Sequence, residues 1–115
     1  MYLDISFTKV MDLSPLCELI SLKSLNIAGV KVNDFSCLKY LDTLELLSLR
    51  SCLGITNLND ISKLLVLRSL DIGHCLRINT ISPLFTLTRI EELVLDSSGY
   101  ISIIIITTII KFNNT

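Results

Sequence analysis

Pairs of aliphatic residues separated by one other residue recur along the chain at a nearly constant interval. The first members of these pairs lie 22, 22, 23 and 23 residues apart, and from the second pair onward another aliphatic residue stands three positions earlier. The pairs are Leu3/Ile5, Leu25/Ile27, Leu47/Leu49, Leu70/Ile72 and Leu93/Leu95. A fixed period of this length is typical of a repeat protein in which each unit is one short supersecondary element.

Each pair predicts a short β-strand, because successive side chains of a strand point to opposite faces. In the second unit Leu25 and Ile27 are expected to face inward. The outward positions of that unit are then Ser24, Asn26 and Ala28. Three positions after each pair comes a column of mostly small residues: Thr8, Val30, Cys52, Cys75 and Ser98. Val30 departs from this column, so one backbone turn is expected to lack a polar cap.

The second half of each unit predicts a short helical or 3₁₀ return segment. Ser14 and Ser82 each precede a proline. A serine hydroxyl can accept a free amide at a helix start, and proline at the next position has no amide to satisfy. In the third unit both Leu58 and Ile61 could align with Leu13. The spacing to the next strand favours Ile61, which makes the third unit irregular.

Stacking of the units is expected to build the core, since one unit of strand, turn and return segment cannot bury its aliphatic edge alone. Leu and Ile supply 39 of the 115 residues. Each buried Leu or Ile contributes roughly 1.5–3 kcal/mol. The predicted fold class is therefore an α/β repeat that many small aliphatic contacts hold together.

These motifs resemble the leucine-rich-repeat superfamily. The residues that carry the resemblance are Leu22-x-x-Leu25-x-Ile27, Leu44-x-x-Leu47-x-Leu49-x-x-Cys52, Leu67-x-x-Leu70-x-Ile72-x-x-Cys75 and Ile90-x-x-Leu93-x-Leu95. The resemblance implies a leucine-rich-repeat solenoid with a short parallel β-sheet on its concave face and short helical or 3₁₀ return segments. The unit length is similar to the short subclass found in the regulatory subunit of type-1 protein phosphatase and in bacterial internalins. Cysteine in place of the usual Asn resembles kinetoplastid leucine-rich-repeat proteins regarded as adenylate cyclase regulators.

The repeat is expected to cover residues 1–100 with about four and a half units, followed by a non-repeat tail rich in Ile and Thr at 101–115. The first unit lacks its leading aliphatic residue and the tail loses the period, so the chain is interpreted as a fragment of a longer array. The apolar run of the tail has 12 residues, whereas a membrane-spanning helix needs roughly 20. No membrane span is therefore expected.

A cytoplasmic location is expected from the start of the chain and from the cysteines. An acid at Asp4 and the absence of an apolar run after a basic start argue against a signal peptide. The four cysteines are then interpreted as reduced thiols.

Residues that could carry catalysis or bind a cofactor are sparse. Cys52 and Cys75 share a column and His74 adjoins one of them, but a metal site needs three or four converging ligands. Packing of small side chains is the favoured interpretation. His74 has no nucleophile and orienting acid in a recognisable pattern, and the four glycines form no phosphate-binding loop. No enzymatic activity and no metal or other cofactor are expected.

The outward face of the strands is the candidate binding surface, since the resemblance implies that it is the concave wall. Its candidate partner-binding residues are Leu46, Arg50, Asp71, Glu92, Val94 and Asp96. Arg50 is expected to lie next to Asp71 on the next strand. The two form either an ordinary exposed ion pair or part of a partner patch in which Arg50 is the anchor and Leu46 and Val94 are apolar contacts. The acids on this face and the net charge of −1 disfavour a nucleic-acid partner.

The sequence thus predicts a non-catalytic protein-interaction module, expected within a regulatory or scaffold protein, whose partner the repeat does not specify. One alternative is a secreted or surface-exposed recognition protein of the internalin kind, which would need a signal peptide. Another is the substrate-recognition part of a ubiquitin ligase, which would need a RING or F-box segment.

Overall fold

Residues 1–96 are described by a computed structural model, in which five short strands form one parallel sheet with the order β1-β2-β3-β4-β5. The strands are β1 (Tyr2–Asp4), β2 (Ser24–Asn26), β3 (Leu46–Ser48), β4 (Ser69–Asp71) and β5 (Glu92–Val94). Four 3₁₀ segments return the chain between them: η1 (Ser14–Glu18), η2 (Ser36–Tyr40), η3 (Ile61–Lys63) and η4 (Ser82–Thr86). The predictions for Ser98, Gly99 and the tail at 101–115 lie outside the described residues.

The strands pair in the register that the repeat predicts. Leu25 lies opposite Leu3 on one side and Leu47 on the other, and Leu70 follows at the same level. The second aliphatic residue of each pair extends the backbone hydrogen bonding of the sheet, because its amide donates to a carbonyl of the next unit. These bonds run from Ile5 to Asn26, Ile27 to Ser48, Leu49 to Asp71 and Ile72 to Val94 at 2.8–3.0 Å.

The return segments place a core residue at every third position, from the turn to the next strand. In the second unit these are Phe35, Leu38, Leu41 and Leu44, all buried. Each of the last three donates its amide to the carbonyl of the preceding core residue, at 3.0–3.1 Å. Because a 3₁₀ turn has three residues, its hydrogen-bond period keeps one face of the segment against the core.

The predicted alignment of Ile61 with Leu13 is wrong, although the third unit does differ from the others, since η3 has three residues and each other return segment has five. Leu58 occupies the position of Leu13, because the amide of Ile61 donates to Leu58 in the way that the amide of Leu16 donates to Leu13. The prediction put Ile61 at the position that Leu58 occupies, an error of one 3₁₀ turn. Leu58 and Ile61 are both buried and lie three residues apart, so spacing alone could not distinguish them.

The change from 22 to 23 residues arises earlier, in the turn after the strand. Val30 and Val32 are two residues apart, whereas Cys52 and Ile55 are separated by three, with Gly54 as the additional residue. Gly54 lies directly against the second unit, because a Cβ at this position would overlap the main-chain oxygen of Val32. The additional residue is thus accommodated by close backbone contact.

The serine hydroxyls do not cap the return segments, contrary to prediction. Instead, at η1, η2 and η4 the side chain two residues before the start accepts the first amide, a turn that Asp and Thr side chains favour. The amide of Ser14 donates to Asp12 and that of Ser36 to Asp34, each at 2.9 Å, and the amide of Ser82 donates to Thr80 at 3.2 Å. In the third unit Asn57 accepts at 3.1 Å from the amide of Asn59, which lies two residues before η3 begins.

The small-residue column caps carbonyl groups between units. The thiol of Cys52 donates to the carbonyl of Ile27 at 3.1 Å, and the thiol of Cys75 donates to Leu49 at 3.0 Å. Val30 cannot do this for the first unit, yet no turn is left uncapped there, since the hydroxyl of Thr8 donates to Ile5 at 2.7 Å. The departure of Val30 from the column is therefore compensated within the preceding unit.

Burial sets the chemistry of three of the cysteines. It is the main cause that raises the pKa of Cys37 to about 12 and of Cys75 to about 11, and it also raises the pKa of Cys52. The thiol of Cys17 also raises the pKa of Cys37, so the two residues are neighbours across η1 and η2 although they form no column. Cys17 itself is only partly buried.

Within residues 1–96, no helix is long and apolar enough to cross a membrane.

A core leucine and its exposed neighbour provide a test of the packing. Leu64 is fully buried, whereas Leu65 is 58% exposed. We expect Leu64→Ala to lower the free energy of unfolding by about 2–5 kcal/mol because it leaves a cavity. The control Leu65→Ala should change it by less than about 0.5 kcal/mol. Equal losses for both variants in urea unfolding would contradict the described core.

Thiol reactivity tests the cysteine environments. Because the thiolate is the nucleophile and a raised pKa suppresses it, Cys37, Cys52 and Cys75 should resist a disulfide reagent at pH 8 until the protein unfolds. Cys17 should react first. The measurement is a time course of modification with peptide mass analysis, in native buffer and in denaturant. Rapid modification of Cys52 or Cys75 in native protein would show that the column is open to solvent.

Candidate functional site

A row of alternating charges lies along the start of the strands. Lys23, Glu45, Arg68 and Glu91 each directly precede a strand, so they stand side by side in successive units. Glu45 lies 3.5 Å from Lys23 and 3.9 Å from Arg68, and Arg68 lies 3.0 Å from Glu91. Sequence reasoning missed this row, although opposite charges at the repeat spacing were the signal for it. We refer to these four residues as the charge ladder.

A depression of about 590 Å³ lies on the sheet face beside the charge ladder. Its apolar lining comes from Tyr2 and Leu46, which are 80% and 45% exposed. Both lie opposite Ser24 in the sheet register, so this small residue separates two larger side chains. On the far side the hydroxyl of Ser69 donates to Glu92 at 2.9 Å. The predicted residues Leu46 and Glu92 therefore share one concavity with Tyr2, which was not among the predicted site residues.

A second cluster forms around Arg50 at the other end of the strands. The predicted pair is present, with Arg50 Nη1 at 3.3 Å from Asp71 Oδ1. The stronger contact is with Asp96, whose two carboxylate oxygens accept from Nη1 and Nη2, the former at 2.8 Å. His74 Nε2 lies 3.9 Å from the same carboxylate. The cluster thus joins the third, fourth and fifth units.

The guanidinium of Arg50 crosses the fourth unit beside Gly73, which has no side chain to obstruct it. A Cβ on Gly73 would overlap Arg50 Nη1 and would lie 2.6 Å from Asp96 Oδ1. A side chain here would separate the two charged groups. The amide of Gly73 also donates to Asp71 at 2.9 Å, which fixes the second carboxylate beside Arg50.

The charges of this cluster satisfy one another. The hydrogen bonds from Arg50 are the main cause that lowers the pKa of Asp96, and Asp96 in turn raises the pKa of Arg50. Both groups are therefore ionised at neutral pH. A bidentate pair between a guanidinium and a carboxylate also fixes the geometry of both side chains.

Five of the six predicted residues therefore fall into two groups. Leu46 and Glu92 line the depression, whereas Arg50, Asp71 and Asp96 form the cluster. Val94 is half-buried and lies opposite Asp71 in the sheet register. Ala28, predicted to face outward, is buried on that face.

The described residues contain no group of three or more His, Cys, Asp or Glu side chains that could hold a metal ion. Cys52 and Cys75 instead use their thiols within the backbone network, and His74 sits beside Asp96.

Comparison with known proteins yields structural neighbours. No protein-family model and no curated protein matches the sequence. Internalin C2 from Listeria monocytogenes matches at a TM-score of 0.74 with 26% identity, over 83% of this chain and 41% of the internalin chain. Internalin F from the same organism matches at 0.69 with 28% identity, over 78% of this chain and 26% of that one.

The chain spans less than half the length of either internalin structure that it matches. The described part of this chain is a stack of short units with parallel strands on one face and 3₁₀ segments on the other. The repeated core, the sheet and these neighbours together show that this chain has the fold of a leucine-rich-repeat solenoid.

Proposed function

We propose that the concave sheet face binds a protein partner and that the depression around Tyr2 and Leu46 is the centre of contact. The observation that carries this proposal is the exposure of these two apolar side chains on a wall whose other exposed side chains are polar. Aromatic and apolar anchors inside a concavity supply most of the binding energy at protein interfaces, and a polar rim excludes water around them. The charge ladder provides such a rim on one side.

The Arg50 cluster contributes differently from the anchor that the sequence suggests. Its guanidinium already holds Asp96 and Asp71, so an acidic partner group would have to displace one of them. We therefore propose that the cluster fixes the shape of the concave wall and does not act as the anchor for the partner. It presents a surface next to the depression in which one guanidinium is held between two carboxylates.

We infer a role within a regulatory or scaffold protein in the cytoplasm. The thiols of Cys52 and Cys75 support this location, because each must be reduced to donate to a backbone carbonyl. The concave face also carries more acids than bases, which favours a protein over a nucleic acid as the partner.

The likeness to two internalins favours a second candidate, a surface-exposed recognition protein. The two proposals differ in compartment. Fractionation of the source cells, followed by detection with an antibody, would assign the chain to the cytoplasm or to the exported fraction.

A charge placed in the depression tests the binding face. We expect Leu46→Glu to lower partner affinity by about tenfold or more, because it removes an apolar anchor and buries an unpaired carboxylate. The matched control is Leu65→Glu, which changes an exposed leucine that belongs to neither the depression nor the Arg50 cluster. The measurement is quantitative capture of proteins from the source cells, with thermal unfolding of both variants to establish that they fold.

Capture by the wild type and by Leu65→Glu, with loss by Leu46→Glu, would support the proposed face. If both variants retained the same proteins as the wild type, the concave depression would not be the binding site.

A further inference from the structure

A second concavity, the edge groove, lies in the turns that follow β2 and β3, away from the residues of the depression. It has a volume of about 320 Å³ and includes Lys31, Asn33, Leu53, Gly54 and Arg77 in its lining. None of these residues belongs to the concave face or to the return segments. The edge groove is thus a separate surface of the solenoid.

The additional residues that lengthen the third and fourth units both line the groove. These residues are Gly54 in the third unit and Arg77 in the fourth. Gly54 has no room for a side chain against Val32, so no side chain covers the surface at this point. Arg77 lies at the border of the groove. The third unit therefore supplies a gap and the fourth supplies a cation beside it.

The positive charge of the groove is not compensated. Lys31 and Arg77 are exposed, and neither forms an ion pair or a hydrogen bond with any of residues 1–96. No carboxylate lines the groove within that part of the chain. By contrast, Lys23, Arg50 and Arg68 are all paired with acids. Two cations without a counter-charge attract an anionic group.

An exposed leucine stands next to these cations. Leu53 is 55% exposed in the groove, and Leu76 occupies the same position in the next unit with 61% exposed. Both leucines directly follow a buried cysteine of the small-residue column. The cysteine side chain points into the core, and the leucine side chain points to solvent. An apolar side chain that covered Leu53 would remove this surface from water.

We propose that the edge groove binds a segment of a partner protein in which Asp or Glu adjoins an apolar residue. The carboxylates meet Lys31 and Arg77, and the apolar side chain packs on Leu53. The concave face has an excess of acids and the edge groove has only bases, so the two surfaces select partners of opposite charge. This site is independent of the concave proposal, because none of its residues lines the depression.

Selection of peptides from a random phage-displayed library on the whole chain tests the proposal. We expect the selected peptides to combine Asp or Glu with a neighbouring Leu or Phe. Synthetic copies of these peptides should shift amide NMR signals of residues 29–33, 51–54 and 77, and their binding should weaken as salt rises. A selected pool without such acidic peptides, or shifts confined to the concave face, would overturn the proposal.

Charge reversal identifies the residues. The double variant Lys31→Glu with Arg77→Glu should weaken the acidic peptides by about tenfold, and Leu53→Ser should also weaken them. The matched controls are Lys63→Glu, another exposed cation without an ion pair among the described residues, and Leu65→Ser, an exposed leucine outside both grooves. Equal effects of variants and controls would overturn the assignment. Leu46→Glu should leave this binding unchanged, so failure here and failure of the concave site are distinguishable.

Discussion

A three-residue step between buried aliphatic residues governs this solenoid. Leu58, Ile61, Leu64 and Leu67 illustrate it, since all four are buried and each of the last three donates its amide to the carbonyl of the one before. One set of residues thereby satisfies the backbone of the return segment and fills the core. The strands then lie in register, because every unit presents its aliphatic residues at the same height to its neighbours.

Much of this architecture follows from the periodicity of the chain. The inward aliphatic pairs, the stacking of units and the contact between Arg50 and Asp71 are predicted from spacing and alternation, whereas the parallel direction of the strands is implied by the resemblance to leucine-rich repeats. The misplacement of Ile61 has a physical cause, because an error of one 3₁₀ turn exchanges one buried aliphatic residue for another. The contact of Arg50 with Asp96 lay beyond such reasoning, since it depends on a side chain crossing Gly73.

Backbone conformation was also hidden from pattern analysis. Phe7, Gly29, Ser51 and His74 all adopt a left-handed conformation, with φ between 55° and 71°, at the same place in their units. Only one of them is glycine, the usual signal for this conformation. Each donates its amide to a carbonyl of the next unit at 2.7–2.9 Å. These backbone hydrogen bonds hold three residues other than glycine in the left-handed conformation, which costs roughly 1–2 kcal/mol for each of them.

The span of Arg50 has a consequence for how the array comes apart. Repeats that touch only their neighbours fray one at a time from an end, since each interface is independent of the next but one. Arg50 belongs to the third unit and Asp96 to the fifth, so this contact couples units that are not adjacent. Opening of the fifth unit must release the guanidinium that also holds Asp71 in the fourth. Within the described residues, a single side chain thus links the third, fourth and fifth units in addition to the stacking of adjacent units.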